Sequence, residues 1–163
     1  MTKAKELIRR TDRVSGFDLD TPGCISFSGG RTSGYMLRQI LDFYDGKLPK
    51  DVHIVFSNTG KEMNATLDFV RDCEINWNVK IDWVEWDETN KFREVNHNSA
   101  SRNGEPYDKL INKRKFLPNP VTRYCTSELK IKVMKDFMLS RGHKYWVNYV
   151  GLRYDEPHRV ARL

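Results

Sequence analysis

The chain has 163 residues, 39% hydrophobic and 31% charged, enough to bury one core and too apolar for a disordered chain. No apolar run approaches the ~18 residues of a membrane-spanning helix, and MTKAKELIRR at the start is not followed by a leader's apolar segment. The expectation is one cytoplasmic domain over residues 1–163, without membrane association.

Three cysteines, Cys24, Cys73 and Cys125, are too few and too widely spaced for a disulfide framework or a paired-cysteine metal site. Lys and Arg number 28 against 22 Asp and Glu, a net charge of +6. Between Asp87 and Lys135 there are 11 basic and 6 acidic residues, a local excess of 11 − 6 = 5. Such a segment suits phosphates, a sulfated nucleotide or nucleic acid, or is simply a solvated basic face.

In chain order, Lys3–Arg10 reads as a short leading helix and Cys24–Phe27 as a strand. Met36, Leu37, Ile40, Leu41 and Tyr44 recur at helical spacing, giving a helix over Thr32–Tyr44 that ends before Gly46 and Pro49. Val52–Phe56 is a second strand. Met63, Leu67, Val70, Cys73 and Trp77 mark a second helix, and Ile81–Trp86 a third strand. Asp87–Arg123 reads as polar and irregular, with one short helix near Tyr107–Lys113. A helix over Ser127–Arg141, capped by Gly142, and a strand over Tyr145–Val150 follow. The alternation predicts an α/β fold, a Rossmann-like three-layer sandwich with a mainly parallel sheet of about five strands. Ligands in such folds bind beyond the carboxyl ends of strands, where the strand order reverses.

The first of those turns is SFSGGRTS. Gly29 and Gly30 let backbone N–H groups converge, and the following helix start adds further donors and partial positive charge. Ser28, Thr32 and Ser33 add hydroxyls, and Arg31 a full charge. Together they form a receptor for a tetrahedral anion, distinct from both GxxxxGK[ST] and GxGxxG loops. The string resembles the PP-loop of the adenine nucleotide alpha-hydrolase-like superfamily. Within it, the chain is similar to the phosphoadenosine phosphosulfate (PAPS) reductase family, which includes phage-encoded members. The loop differs at one position, with Thr32 where the superfamily commonly has Asp.

Three further segments, taken in order, extend the resemblance from Cys24 to Arg159. FSNTGKEMNAT resembles the family's segment beside the nucleotide, which implies adenine and nucleotide contacts for Phe56, Asn58, Thr59 and Gly60; Glu62 is read as a first-turn acid of the next helix. RYCTSELK resembles the cysteine–basic segment. Its Cys125 lies near a helix start capped by Thr126 or Ser127, approached through Pro118 and Pro120. Flanked by Arg123 and Lys130, that thiol is expected to have a lowered pKa. GLRYDEPHR resembles the closing motif, implying anion contacts from Gly151, Arg153 and Arg159; Asp155 and Glu156 are read as holding those arginines or a cation. His53, His97, His143 and His158 read as surface residues, no two at metal-ligand spacing.

The resemblance implies reduction of PAPS to sulfite and adenosine 3′,5′-bisphosphate, with thioredoxin or glutaredoxin as electron donor and no resident metal or cofactor. In that family the nucleophile lies in a C-terminal Glu-Cys-Gly-Leu-His string, which these residues do not include. The chain is then a fragment, or its activity differs, or Cys125 serves with Arg123 and Lys130. The alternatives are an ATP pyrophosphatase using Mg²⁺ to adenylate an acceptor, and a nucleotide-binding module without turnover. A homodimeric state is left open.

Overall fold

A computed structural model describes residues 18–119, 121–153 and 155. The leading helix expected at Lys3–Arg10 lies outside the described residues, as do Pro120, Glu156, His158 and Arg159.

Five strands form one sheet: β1 (Gly23–Ser26), β2 (Val52–Asn58), β3 (Asp82–Asp87), β4 (Lys91–Val95) and β5 (Val147–Val150), in the order β4-β3-β2-β1-β5. Pairings β1–β2, β2–β3 and β1–β5 are parallel, while β3–β4 is an antiparallel hairpin. The expected mainly parallel α/β sheet is what the chain forms.

Side chains alternate across the sheet, as the strand period requires. Ile25, Ile54, Phe56 and Trp83 join one core cluster, while Cys24, Val55 and Val84 face the other. The first face is covered by α1 (Arg31–Phe43) through Leu37, Ile40 and Leu41, and by α2 (Asn64–Asn76) through Leu67, Val70 and Cys73. The second is covered by α3 (Glu105–Arg114), through Leu110, and by a long helical run near the C-terminus. That run comprises α4 (Tyr124–Thr126), a π-helical turn (Ser127–Ile131) and α5 (Lys132–Ser140). Leu129, Val133, Phe137 and Met138 point inward from it, as their spacing predicts. Gly142 closes it at φ +87°, with its N–H donating to the Leu139 carbonyl and that of His143 to Met138.

The structure corrects three expectations. Asp87–Arg123 is more ordered than expected: Lys91–Val95 folds back on β3 as an edge strand, while the short helix expected near Tyr107–Lys113 is present and extends over Glu105–Arg114. The C-terminal helical run starts at Tyr124, so Thr126 and Ser127 are helical residues rather than caps, and Ser127 Oγ donates to the Tyr124 carbonyl. Met63 precedes α2 and is exposed, and Glu62 lies outside the helix altogether.

Candidate functional site

The strand order reverses at β1. The chain proceeds from β1 to β2 and β3 on one side, then returns to lay β5 on the other. The residues leaving β1 and β5 therefore face each other at the switch point. Gly151, just past β5, is pressed against the start of α1. A Cβ there would lie 3.2 Å from Ser33 Cα and the Thr32 carbonyl oxygen. A side chain there would force the backbone of Thr32 and Ser33 to give by a few tenths of an ångström, so glycine favours this approach, which brings the first turn and the closing motif together.

The first turn holds its shape through two devices. Gly29 has φ +70°, and its α-carbon sits over α2, where a Cβ would be 2.7 Å from Thr66 Cγ2 and 3.0 Å from Val70 Cγ2. Ser33 Oγ donates to the Gly30 carbonyl, accepts from Ser28 N–H at 3.2 Å and lies 2.9 Å from Ser28 Oγ. The Ser33 hydroxyl is thus committed to the loop itself, leaving Ser28, which is exposed, as the outward-facing serine. Gly30 has an ordinary extended conformation with open space where a Cβ would point, 3.6 Å from Ser28 Oγ. Gly34 N–H makes the first intrahelical bond, to the Gly30 carbonyl. The amides of Arg31, Thr32 and Ser33 precede it, as the unshared donors of a helix start do. Arg31 is exposed and Thr32 half-buried.

The second turn is built on a buried polar network. The Asn58 side chain has no exposure; its amide donates to Glu85 Oε1 at 2.6 Å and to the Ser101 carbonyl at 2.8 Å, while its Oδ1 accepts from Gly60 N–H at 3.1 Å. Glu85, equally buried, also accepts from Ser101 N–H and Oγ and from Arg93, whose Nη2 lies 2.6 Å away. Asn58 therefore shapes the turn rather than offering its side chain outward. Phe56 is likewise a core residue, edge-on to Trp83 at 4.9 Å and lying beneath Gly29. Gly60, at φ +78°, abuts Gly104 and Pro106 at the start of α3.

The cysteine segment is tied to this turn twice. Ser57 Oγ donates to the Leu129 carbonyl at 2.6 Å, and Lys130 Nζ lies 3.3 Å from Glu62 Oε1, which also accepts from Thr59 Oγ1. Cys125 is half-buried beside Tyr107, whose phenol is pushed up by burial and then by the nearby Cys125 and Tyr124. Arg123 is exposed at the head of α4. The other two thiols are buried: desolvation, with the Asp82 charge behind it, pushes Cys24 up to about 12, and desolvation, with Asp72, pushes Cys73 to about 11. Arg153 Nε pairs with Asp155 at 3.0 Å, the pairing the closing motif suggested.

Ser28–Ser33 and Gly151 thus meet at the switch point, and Thr59, Glu62 and Lys130 form a second polar group at the turn after β2. Sequence reasoning missed Glu85, Arg93 and Ser101, which support the second turn. In the polar Lys91–Val95 stretch the apolar residues Phe92 and Val95 stand three apart, without strand alternation, and nothing linked Arg93 to Glu85 before the register was known.

Among the described residues no helix is long and apolar enough to cross a membrane. No family model matches the chain. It is 30% identical, over 152 positions, to the uncharacterized nin region protein ORF290 of Escherichia phage lambda, covering 83% of this chain and 49% of that protein. It is 26% identical, over 142 positions, to the uncharacterized protein MJ0066 of Methanocaldococcus jannaschii, covering 86% of this chain and 25% of that one. The chain spans about half the length of the phage relative and a quarter of the archaeal one.

Proposed function

We propose that this chain is a cytoplasmic sulfonucleotide-binding protein of the PAPS reductase type, which holds the anionic groups of an adenine nucleotide against residues 28–33 and Gly151. The observation that carries the reading is the packing of Gly151 on the backbone of Thr32 and Ser33. It joins a glycine-rich βα turn to the strand end across the switch point, beside a helix start whose first amides have no intrahelical partner.

Of the three thiols, Cys125 alone is partly exposed, and its helical run is tied to the second turn through Leu129 and Lys130. In the proposed reaction its thiolate attacks the sulfur of PAPS. The S–O bond to the phosphate breaks, its electron pair leaves on adenosine 3′,5′-bisphosphate, and a cysteine S-sulfonate forms. A thioredoxin-like dithiol then attacks the cysteine sulfur, releasing sulfite, and its second thiol resolves the mixed disulfide. The dithiol becomes a disulfide and Cys125 returns as a thiol. Lys130 and Arg123 supply positive charge toward the departing phosphate.

Calorimetry of the purified chain against PAPS, adenosine phosphosulfate, ATP and adenosine 3′,5′-bisphosphate tests the binding step. Saturable binding of PAPS and the bisphosphate is expected. Production of AMP and pyrophosphate from ATP would replace this reading with the ATP pyrophosphatase one. PAPS binding without sulfite release in the presence of thioredoxin would leave a binding module and remove Cys125 from the chemistry.

A further inference from the structure

At the opposite end of the sheet from the switch point, His53 near the start of β2 and His143 after α5 meet, although 90 residues separate them. Their Nε2 atoms are 3.3 Å apart and their rings 5.4 Å apart, inclined at 57°. Behind them, His53 Nδ1 lies 3.3 Å from Asp82 Oδ2. Asp82 is 5% exposed and is approached by Lys80 at 2.7 Å and Arg141 at 3.8 Å; Arg141 also pairs with Glu94.

From this arrangement we propose that His53 and His143 bind one transition-metal ion of the imidazole-preferring class, Zn²⁺, Ni²⁺ or Cu²⁺, through their Nε2 atoms. Three features carry this. Two ligands on a tetrahedral ion with metal–nitrogen bonds of about 2.0–2.1 Å stand about 3.3–3.4 Å apart, which is the observed separation, whereas an N–H hydrogen bond is usually about 2.9–3.0 Å. Asp82 Oδ2 stands behind His53 Nδ1, placed to accept a hydrogen bond from Nδ1–H and so favour the tautomer whose Nε2 lone pair is free for a metal; a carboxylate behind a histidine is the usual support of a metal-ligating imidazole. His53 is otherwise fixed edge-on against Phe137, 5.6 Å between centroids, so its ring is held in this orientation by the core.

The surrounding charges predict which ions bind. Asp82 and Glu94 are balanced by Lys80 and Arg141, and among the described residues no group of three or more His, Cys, Asp or Glu side chains could hold a metal. Attraction to net negative charge is therefore absent, and affinity comes from the imidazole lone pairs, with solvent completing the coordination. Hard oxygen-seeking ions such as Mg²⁺ and Ca²⁺ gain nothing from this pair.

The test is a calorimetric titration of Zn²⁺, Ni²⁺ and Mg²⁺ into the untagged chain carrying Cys125→Ser, which removes the accessible thiol. One Zn²⁺ or Ni²⁺ per chain is expected, with no Mg²⁺ binding. His53→Gln and His143→Gln should each abolish the saturable site. Asp82→Asn should weaken it by about 10-fold or more. Zn²⁺ should raise the melting temperature of the parent chain and leave that of His143→Gln unchanged. Absence of saturable Zn²⁺ binding, or its persistence in the His53→Gln/His143→Gln double variant, would overturn the proposal and leave the pair as a direct hydrogen bond. The outcome is independent of nucleotide binding.

Discussion

Lys130 reaches across from the π-helical turn to Glu62, 3.3 Å away, and so couples the Cys125-bearing segment to the turn after β2. Both side chains are partly solvated, and pairs of that kind contribute at most ~1 kcal/mol to folding. Lys130→Met should therefore lower the melting temperature by no more than about 4 °C. Its effect on PAPS affinity should be larger, at least tenfold by calorimetry. Equal and small effects on both would show that Lys130 serves only the fold.

Gly29 and Gly30 are adjacent yet should respond in opposite ways. Ala at position 29 must adopt φ +70° and push aside Thr66 and Val70. The left-handed conformation alone costs about 1–2 kcal/mol, so Gly29→Ala should lose several degrees of melting temperature. Gly30→Val meets open space beside Ser28 Oγ and should melt close to the parent chain while losing nucleotide binding. Thermal scans paired with calorimetry separate the two; undiminished affinity in Gly30→Val would remove this turn from the binding site.

The thiols should differ in reactivity. Iodoacetamide at pH 8, followed by mass spectrometry of the folded chain, should label Cys125 and spare Cys24 and Cys73, whose buried thiols are held neutral. The same burial sets an alkaline limit on stability. Unfolded thiols ionise near pH 8.5. Cys24 in the fold stays protonated to about 12, so the unfolded chain holds fewer protons across that interval and stability falls as pH rises. The slope approaches about 1.4 kcal/mol per pH unit from this residue alone. Urea titrations at pH 8 and 10 should show the decline, and Cys24→Ala should reduce it to the share left by Cys73, whose thiol is pushed to about 11.

Glu85 should be the most sensitive carboxylate of the β3–β4 hairpin. It is buried and accepts from Asn58, Ser101 and Arg93. Breaking a buried pair costs about 3–5 kcal/mol; with Arg93 half-exposed, Glu85→Gln should cost about 2–3 kcal/mol. Glu94→Gln on the same hairpin is solvated and should stay within about 0.5 kcal/mol. A urea midpoint for Glu85→Gln matching that of Glu94→Gln would contradict the network's role.

The parallel strands were legible because CISF, VHIVF and IDWVEW are apolar on both faces, as strands covered on two sides must be. β4 was not, because Lys91, Arg93 and Glu94 give it the charged surface by which an edge strand avoids further pairing, and that surface resembles a loop. Thr126 and Ser127 are residue types that favour caps, yet burial of Tyr124 in the second core draws the helix start three residues earlier. In the site, SFSGGRTS announced its turn through glycine and hydroxyl content. The Gly151 contact with that turn, the Glu85 network and the His53–His143 pair all depend on strand register, which no local stretch of sequence encodes.

The position of β1 between β2 and β5 also determines when the switch point is completed during synthesis. Gly23 pairs with Val147, a separation of 147 − 23 = 124 residues, and Gly151 follows only after that pairing. Chains emerge from the ribosome N-terminus first, at roughly 5–20 residues per second. The glycine-rich turn is therefore exposed to the cell for several seconds before Gly151 can pack on it. A nascent chain arrested short of β5 carries the whole SFSGGRTS loop and yet lacks the glycine that packs on Thr32 and Ser33.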